Sequence, residues 1–294
     1  MWGAAIRPLP IPDTIPDDMP DDGGAALRIG FNFTLGATAP MVRRLIAAGR
    51  IDYVELLVDN FLAVPPAQIA AAFDAPVGLH IMFSKFMERP EAELDELALR
   101  LTAIIRETRP IYVSDHIARF THQGRHLLHL AEIDYAGEFE RVADRVARWQ
   151  DRLGCTIAFE NYPSIMDGGR DAPDFFRRLT ARTGCTVLFD VSNAVCATHN
   201  CGLPFEAWTE VIRSARQFHV AGYDHSVGQP PIVLDTHDRA LAADTRAALA
   251  LCRALVTDPE ATITYERDDD LDEDRIIADI DTLRAVMGRE PAHV

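Results

Sequence analysis

Histidine and acidic side chains recur at one kind of place along this chain, the end of a short apolar run. His80 closes VGLH, Asp115 and His116 close IYVSDH, and Glu160 stands in TIAFENY. Asp190 and Asn193 end TVLFDVSN, while His219 and Glu266 lie in QFHVAGY and TITYERD. Asp235 and His237 follow in DTHD, and Asp268 stands two residues past Glu266. Imidazole and carboxylate together form a donor set for Fe, Mn, Zn or Co. Carboxylates gathered in one interior place are costly unless cations neutralise them, so a group of this composition points to several metal ions. A lone histidine carries no such message. His122, His126, His129 and His225 each need only a hydrogen-bond partner.

Each motif adds a detail. In SDH (Ser114–His116), strand alternation sends Asp115 and His116 to opposite faces, so one is a ligand and its neighbour a supporting residue. In ENYP (Glu160–Pro163) a carboxylate that can bridge two ions is followed by an amide and a strand-ending proline. In DVSN (Asp190–Asn193) both polar ends reach the same place if the strand turns there. DTHD puts Asp235 and His237 on one side of an extended segment. In ERDDD, Arg267 can orient Glu266, and Asp269 and Asp270 suit the N-terminus of the next helix.

The elements that must position these residues follow from periodicity. Eight apolar runs begin at Ile29, Tyr53, Val77, Ile111, Thr156, Thr186, Gln217 and Thr262. Between them lie helical patterns at Pro40–Gly49, Pro90–Thr108, Tyr135–Leu153, Pro173–Thr183 (with Asp171 as a cap signal), Leu241–Leu255 and Asp270–Met287. Strands alternating with helices make a parallel sheet, and eight such units close into a single (β/α)₈ TIM barrel whose strand C-termini converge on one mouth. Two long connections, Phe120–Asp134 and Cys196–Pro204, read as loops shaping that mouth. The barrel is expected over residues 29–294, after an acidic, disordered tail at 1–28.

The 294 residues suit one such barrel, and 48% hydrophobic residues allow a large core. A net charge of -16 argues against a nucleic-acid backbone as ligand. No apolar run is long enough to span a membrane. The N-terminus is too acidic and proline-rich for a signal peptide. The five cysteines are an odd number with no CxxC pair, which suits reduced cytosolic thiols.

The ordered set GLH, SDH, ENYP, DVSN, FHVAGY, DTHD and ERD resembles the multinuclear non-heme iron-dependent oxidative enzymes, TIM barrels that modify peptides. The nearer likeness is to the methanobactin-biosynthesis branch typified by MbnB. It is carried by IGFNFTLG, IDYVELLVDNF, GLHIMFSKF, AEIDY, ENYPSIMDGGRDAP and DVSNAVCATHNCG, from Ile29 to Asp270. The resemblance implies a cluster of two or three irons and O₂ as co-substrate. The substrate would be a precursor peptide whose cysteine becomes an oxazolone beside a thioamide, and a small partner subunit resembling MbnC would complete a heterodimer. By position it implies His80, Asp115, His116, Glu160, Asp190, Asn193, His219, Asp235, His237 and Glu266 as metal ligands, with Asp268 as a carboxylate that moves protons. One departure is HVAGY, where many members read HLAGH, so that Tyr223 stands in place of a second histidine.

Two rivals fit the same residues. A divalent-metal sugar isomerase or phosphodiesterase barrel also gathers Glu, Asp and His at its mouth, using Zn, Mn or Mg as a Lewis acid without redox change. A metal-dependent peptide-binding scaffold would need the ligands but no turnover.

Overall fold

A computed structural model describes residues 27–34 and 36–287. Most of the acidic segment therefore lies outside the described residues. Leu27 is buried and Arg28 opens the first strand.

The chain runs β1 (Arg28–Phe33), α1 (Ala39–Ala47), β2 (Tyr53–Leu57), α2 (Pro66–Ala70), β3 (Val77–Ile81), α3 (Glu91–Thr108) and β4 (Val113–His116). A two-stranded ribbon, β5 (Arg119–His122) and β6 (Arg125–Ala131), precedes α4 (Phe139–Leu153), β7 (Ala158–Glu160), α5 (Ala172–Thr183), β8 (Thr186–Asp190) and α6 (Val191–Cys201). Then come α7 (Thr209–Ser214), β9 (Gln217–Ala221), a second ribbon of β10 (Tyr223–His225) and β11 (Val233–Asp235), α8 (Ala243–Leu255), β12 (Thr262–Glu266) and α9 (Glu273–Val286). Eight strands close into a parallel barrel in the order β1-β12-β9-β8-β7-β4-β3-β2. All eight runs predicted as strands are these strands. They read as near-continuous apolar stretches because both faces of a barrel strand are covered.

Register explains why chemistry collects at one end. His116 lies beside Glu160, Asp190 beside His219, and His80 beside Ser114. Below that layer the barrel is filled by Tyr53 and Tyr112, both buried. Space for them comes from glycines: a Cβ on Gly30 would meet the Tyr53 ring at 2.3 Å, and one on Gly78 the Tyr112 ring at 2.5 Å. Outside the barrel the helices bury aromatic side chains, as where Trp149 of α4 stacks on Phe86 with centroids 6.2 Å apart.

Two of the expected connections are regular structure. Phe120–Asp134 is largely the β5–β6 ribbon. Cys196–Pro204 is not a loop at its start, because α6 continues to Cys201. Residues 191–197 of that helix are buried all round, so no polar stripe announces it. The start of α9 also differs: its cap is Asp272, which accepts from the Arg275 amide, and not Asp269 or Asp270. Arg267 turns away from Glu266 and donates to Asp270 Oδ2 at 2.8 Å and to the Asp269 carbonyl. Its charge is spent on that turn.

Candidate metal centre

Four imidazoles face the barrel mouth, and the partner of one ring nitrogen decides what the other can do. His80 Nδ1 is 2.8 Å from Ser114 Oγ, whose own hydroxyl is directed at the Leu79 carbonyl. His80 therefore donates through Nδ1 and turns Nε2 towards Glu160 Oε2, 3.6 Å away. Burial pulls this imidazole down to about 4, so it is neutral near pH 7. His116 Nδ1 donates to the Ile81 carbonyl at 3.1 Å and sets Nε2 at 3.0 Å from the same Glu160 oxygen. Burial opposes its charge, but Glu160 prevails and lifts it to about 9.

His219 is fully buried. Its Nε2 lies 2.7 Å from Glu55 Oε2, which leaves Nδ1 facing Glu266 Oε2 at 3.1 Å and Glu160 Oε2 at 3.9 Å. Glu55 Oε2 also accepts from Tyr112 Oη at 2.5 Å, so this carboxylate is held from below and fixes the His219 tautomer. His237 sits beyond the barrel, after β11. Its Nδ1 is 2.9 Å from Asp268 Oδ2, and its Nε2 is 2.8 Å from Asp235 Oδ2 and 3.8 Å from Glu266 Oε2. Asn32 donates to the other Asp268 oxygen at 2.8 Å. Burial would raise the Asp268 carboxyl, but His237 and Asn32 outweigh it and hold it below the ordinary range, hence ionised.

The remaining oxygens meet at the same place. Asp190 ends β8 and caps α6, its Oδ1 accepting the Asn193 amide N–H at 2.7 Å. Asn193 Nδ2 donates to Glu160 Oε1 and to the Asn161 carbonyl. Asn161 in turn pairs through both side-chain atoms with the Asp190 backbone, at 2.7 and 2.9 Å, and locks β7 to β8. Glu160 Oε2, Asp190 Oδ2, Asn193 Oδ1, His219 Nδ1, Asp235 Oδ1 and Glu266 Oε2 are all buried without a well-formed hydrogen bond, Glu160 Oε2 and Glu266 Oε2 facing ring nitrogens of His116 and His219 respectively. Unbonded buried polar atoms are uncommon in folded proteins and require an explanation. Two sets, His80–His116–Glu160 and Glu160–Asp190–His219, have donor atoms within 4.8 Å of one another and share Glu160. Oxygen and imidazole donors with several unbonded atoms fit first-row metal ions, iron among them.

Of the residues expected as ligands, the mouth gathers His80, His116, Glu160, Asp190, Asn193, His219, Asp235, His237 and Glu266. Asp115 is not brought there. Its Oδ2 accepts from Trp149 Nε1 at 2.8 Å, on the helix side of the barrel wall, because His116 took the inward position. Burial lifts its carboxyl to about 7. Sequence reading missed Glu55, whose signal was a carboxylate alternating with Tyr53 and Leu57 inside an apolar strand. A third set, Glu55–His80–His219, also satisfies the distance condition. Glu55 is better placed as the partner of His219, since the ring nitrogen it faces already bonds to it. His122, His126 and His225 are exposed on the ribbons, and His199 bonds to Asp244.

Above the donors is a cavity of 610 Å³ with Ile117, Leu130, Tyr162, Ile165 and Val233 in its walls and Asp268 on its lining. Tyr162 Oη donates to the Leu130 carbonyl and ties the β5–β6 ribbon over the mouth. No helix among the described residues is long and apolar enough to cross a membrane.

A profile of the family described as "RiPP precursor modification enzyme MbnB/TglH/ChrH" matches residues 32–287. A UPF0276 protein of Caulobacter vibrioides (strain NA1000 / CB15N) is 31% identical over 267 residues, covering 86% of this chain and 93% of that protein. Another, from Caulobacter sp. (strain K31), is 33% identical over 185 residues and matches 60% of this chain and 65% of its own length, just under two thirds. Among solved structures, a xylose isomerase-like TIM barrel protein from Mycobacterium smegmatis in complex with magnesium superposes with a TM-score of 0.60. It has 14% identity and covers 90% of this chain and 97% of its own, a likeness of fold.

Proposed function

The chain belongs to the family of RiPP precursor modification enzymes described as MbnB/TglH/ChrH, and on that premise we propose that it is an iron-dependent, O₂-using oxidase. Its substrates would be cysteine residues of a ribosomally made precursor peptide. Its product would be an oxazolone beside a thioamide, as in methanobactin-type biosynthesis. The observation that carries this reading is the ring of buried donor atoms without well-formed hydrogen bonds at the barrel mouth. His80, His116 and Glu160 would hold one ion, and His219, Glu160 and Asp190 a second. Asp235, His237 and Glu266 stand ready for a third.

Bound iron would supply the redox capacity to use O₂ and an affinity for the thiolate sulfur of the peptide. The chain's own residues supply the rest. Apolar cavity walls displace water from the peptide's reacting residue. Asp268, ionised and bonded to His237, is placed on that cavity to accept a proton from the peptide. Phe83, Met166, Val227 and Ile232 stay exposed in segments that follow barrel strands. Exposed apolar side chains on such segments suit a peptide better than a sugar. A small subunit resembling MbnC would complete the enzyme, and a reducing cytosol would suit its five free cysteines.

The test is metal content and chemistry together. Protein purified without oxygen should carry more than one iron per chain and change its visible spectrum in air. With its partner and a cysteine-bearing precursor it should lower the peptide mass by loss of hydrogen, as O₂ is reduced to water. Colourless protein holding zinc or magnesium, with the peptide unchanged, would overturn this reading in favour of a divalent-metal isomerase or phosphodiesterase.

A further inference from the structure

Asp235 and His237 differ from the other donors in what carries them. They hang from β10–β11, a ribbon whose strands are three residues each. A hairpin that short has little stability of its own, so its position must come from what it touches.

Beside the Arg239–Asp224 ion pair and the Asp268 N–H bonded to the His237 carbonyl, the ribbon is held by the far end of α6 and the start of α8. Asn200 pairs with Val233 of β11 as a neighbouring strand would: its Nδ2 donates to the Val233 carbonyl and its Oδ1 accepts the Val233 N–H, each at 2.8 Å. The adjacent His199 sets Nε2 at 2.7 Å from Asp244 Oδ2, in the first turn of α8. Tyr223 Oη donates to that same carboxylate at 2.8 Å. Tyr223 is the residue of β10 directly opposite Asp235. Thus Asn200 holds one strand of the ribbon, and Asp244 holds the other through the residue facing a candidate ligand.

The other end of α6 begins at Asp190 and Asn193, at the mouth. Eleven residues of helix, a rod of roughly 16 Å, therefore connect two donors to the clamp on two more. We propose that Asn200 and Asp244 are positioning residues that hold Asp235 and His237 in the metal centre. Without them the ribbon drifts and the ion nearest it is lost, while ions on barrel-strand ligands remain. This rests on the metal-centre reading given above.

The experiment uses the full chain as wild type, Asn200→Ala, Asp244→Ala, Asp244→Asn and the milder Tyr223→Phe. Each is loaded anaerobically with Fe(II), freed of excess metal and assayed for iron per chain. Amide hydrogen exchange across residues 222–239 is followed in parallel on the metal-free proteins. Asn200→Ala and Asp244→Ala should retain about one ion fewer per chain than wild type. Their ribbon amides should exchange about tenfold faster or more. Tyr223→Phe should fall between them and wild type. Asp244→Asn should stay near wild type, because its Oδ1 still accepts from Tyr223 and its amide still faces the His199 ring nitrogen. Wild-type iron content in Asn200→Ala and Asp244→Ala would overturn the proposal, as would unchanged ribbon exchange in both. If wild type itself holds no iron, the metal-centre reading fails, and the exchange data alone still decide whether the clamp exists.

Discussion

Asn193 donates its side-chain amide to Glu160 Oε1 at 3.1 Å, while Glu160 Oε2 lies 3.0, 3.6 and 3.9 Å from ring nitrogens of His116, His80 and His219. One oxygen of the carboxylate is anchored and the other is offered to three imidazoles. That arrangement makes Glu160 the carboxylate shared by the His80–His116–Glu160 and Glu160–Asp190–His219 sets.

The first prediction follows directly. Glu160→Ala should lose more metal than His80→Ala or His219→Ala, since a shared carboxylate would touch more than one ion. Elemental analysis of the three variants after identical anaerobic loading reads this out. Equal losses would remove the bridging role without removing the metal centre.

A second prediction separates Asp115 from its neighbour. Asp115 accepts from the Trp149 indole and from the His116 amide, with no exposed surface. Asp115→Asn keeps the shape but turns an amide donor towards one of those donors. It should keep its metal and lose about 1–3 kcal/mol of stability, measured by urea unfolding. His116→Ala should do the reverse. Metal loss in Asp115→Asn comparable to that in His116→Ala would put Asp115 among the ligands.

A third concerns pH. Glu132 accepts from Ser164, and burial raises its carboxyl above the ordinary value despite that hydrogen bond. The folded chain thus holds this proton more tightly than the unfolded one. The stability it contributes is fully present below the unfolded value of about 4.3 and is lost as pH rises through the raised folded value. Glu132→Gln keeps the hydrogen bond without the charge. Its stability relative to wild type should therefore climb as pH rises from about 4. A gap that stays flat across the titration would show that Glu132 is not held protonated.

How much of this was legible in the sequence depends on locality. The barrel could be read because each strand is a local apolar run, and its candidate ligands because strand ends carry them. Glu55 escaped because one carboxylate among Tyr53, Val54, Leu56 and Leu57 looks like core until the inward face is known. Asp115 and His116 were both admissible until Trp149, on a helix 34 residues away from Asp115, took one of them. Arg267 and the clamp of Asn200 and Asp244 are similar cases. Their partners are set by tertiary contacts that no spacing records.

The last prediction returns to Asp268. This carboxylate has two partners, the Asn32 amide on Oδ1 and His237 Nδ1 on Oδ2, and it also lines the cavity. It can act as the proton acceptor for the peptide, or only as the group that orients His237. Asp268→Asn distinguishes the two, because the substituted amide oxygen can still accept from His237 while the side chain no longer takes up a proton. If Asp268 accepts the peptide's proton, Asp268→Asn keeps wild-type iron and binds the precursor, yet turns it over at least about a hundredfold more slowly, in the range typical for a lost general base. Iron per chain, peptide affinity and single-turnover rate, measured on one preparation, give all three quantities. Full turnover with full iron would reduce Asp268 to a bystander. Loss of iron matching that of Glu266→Ala would make it part of the metal centre itself.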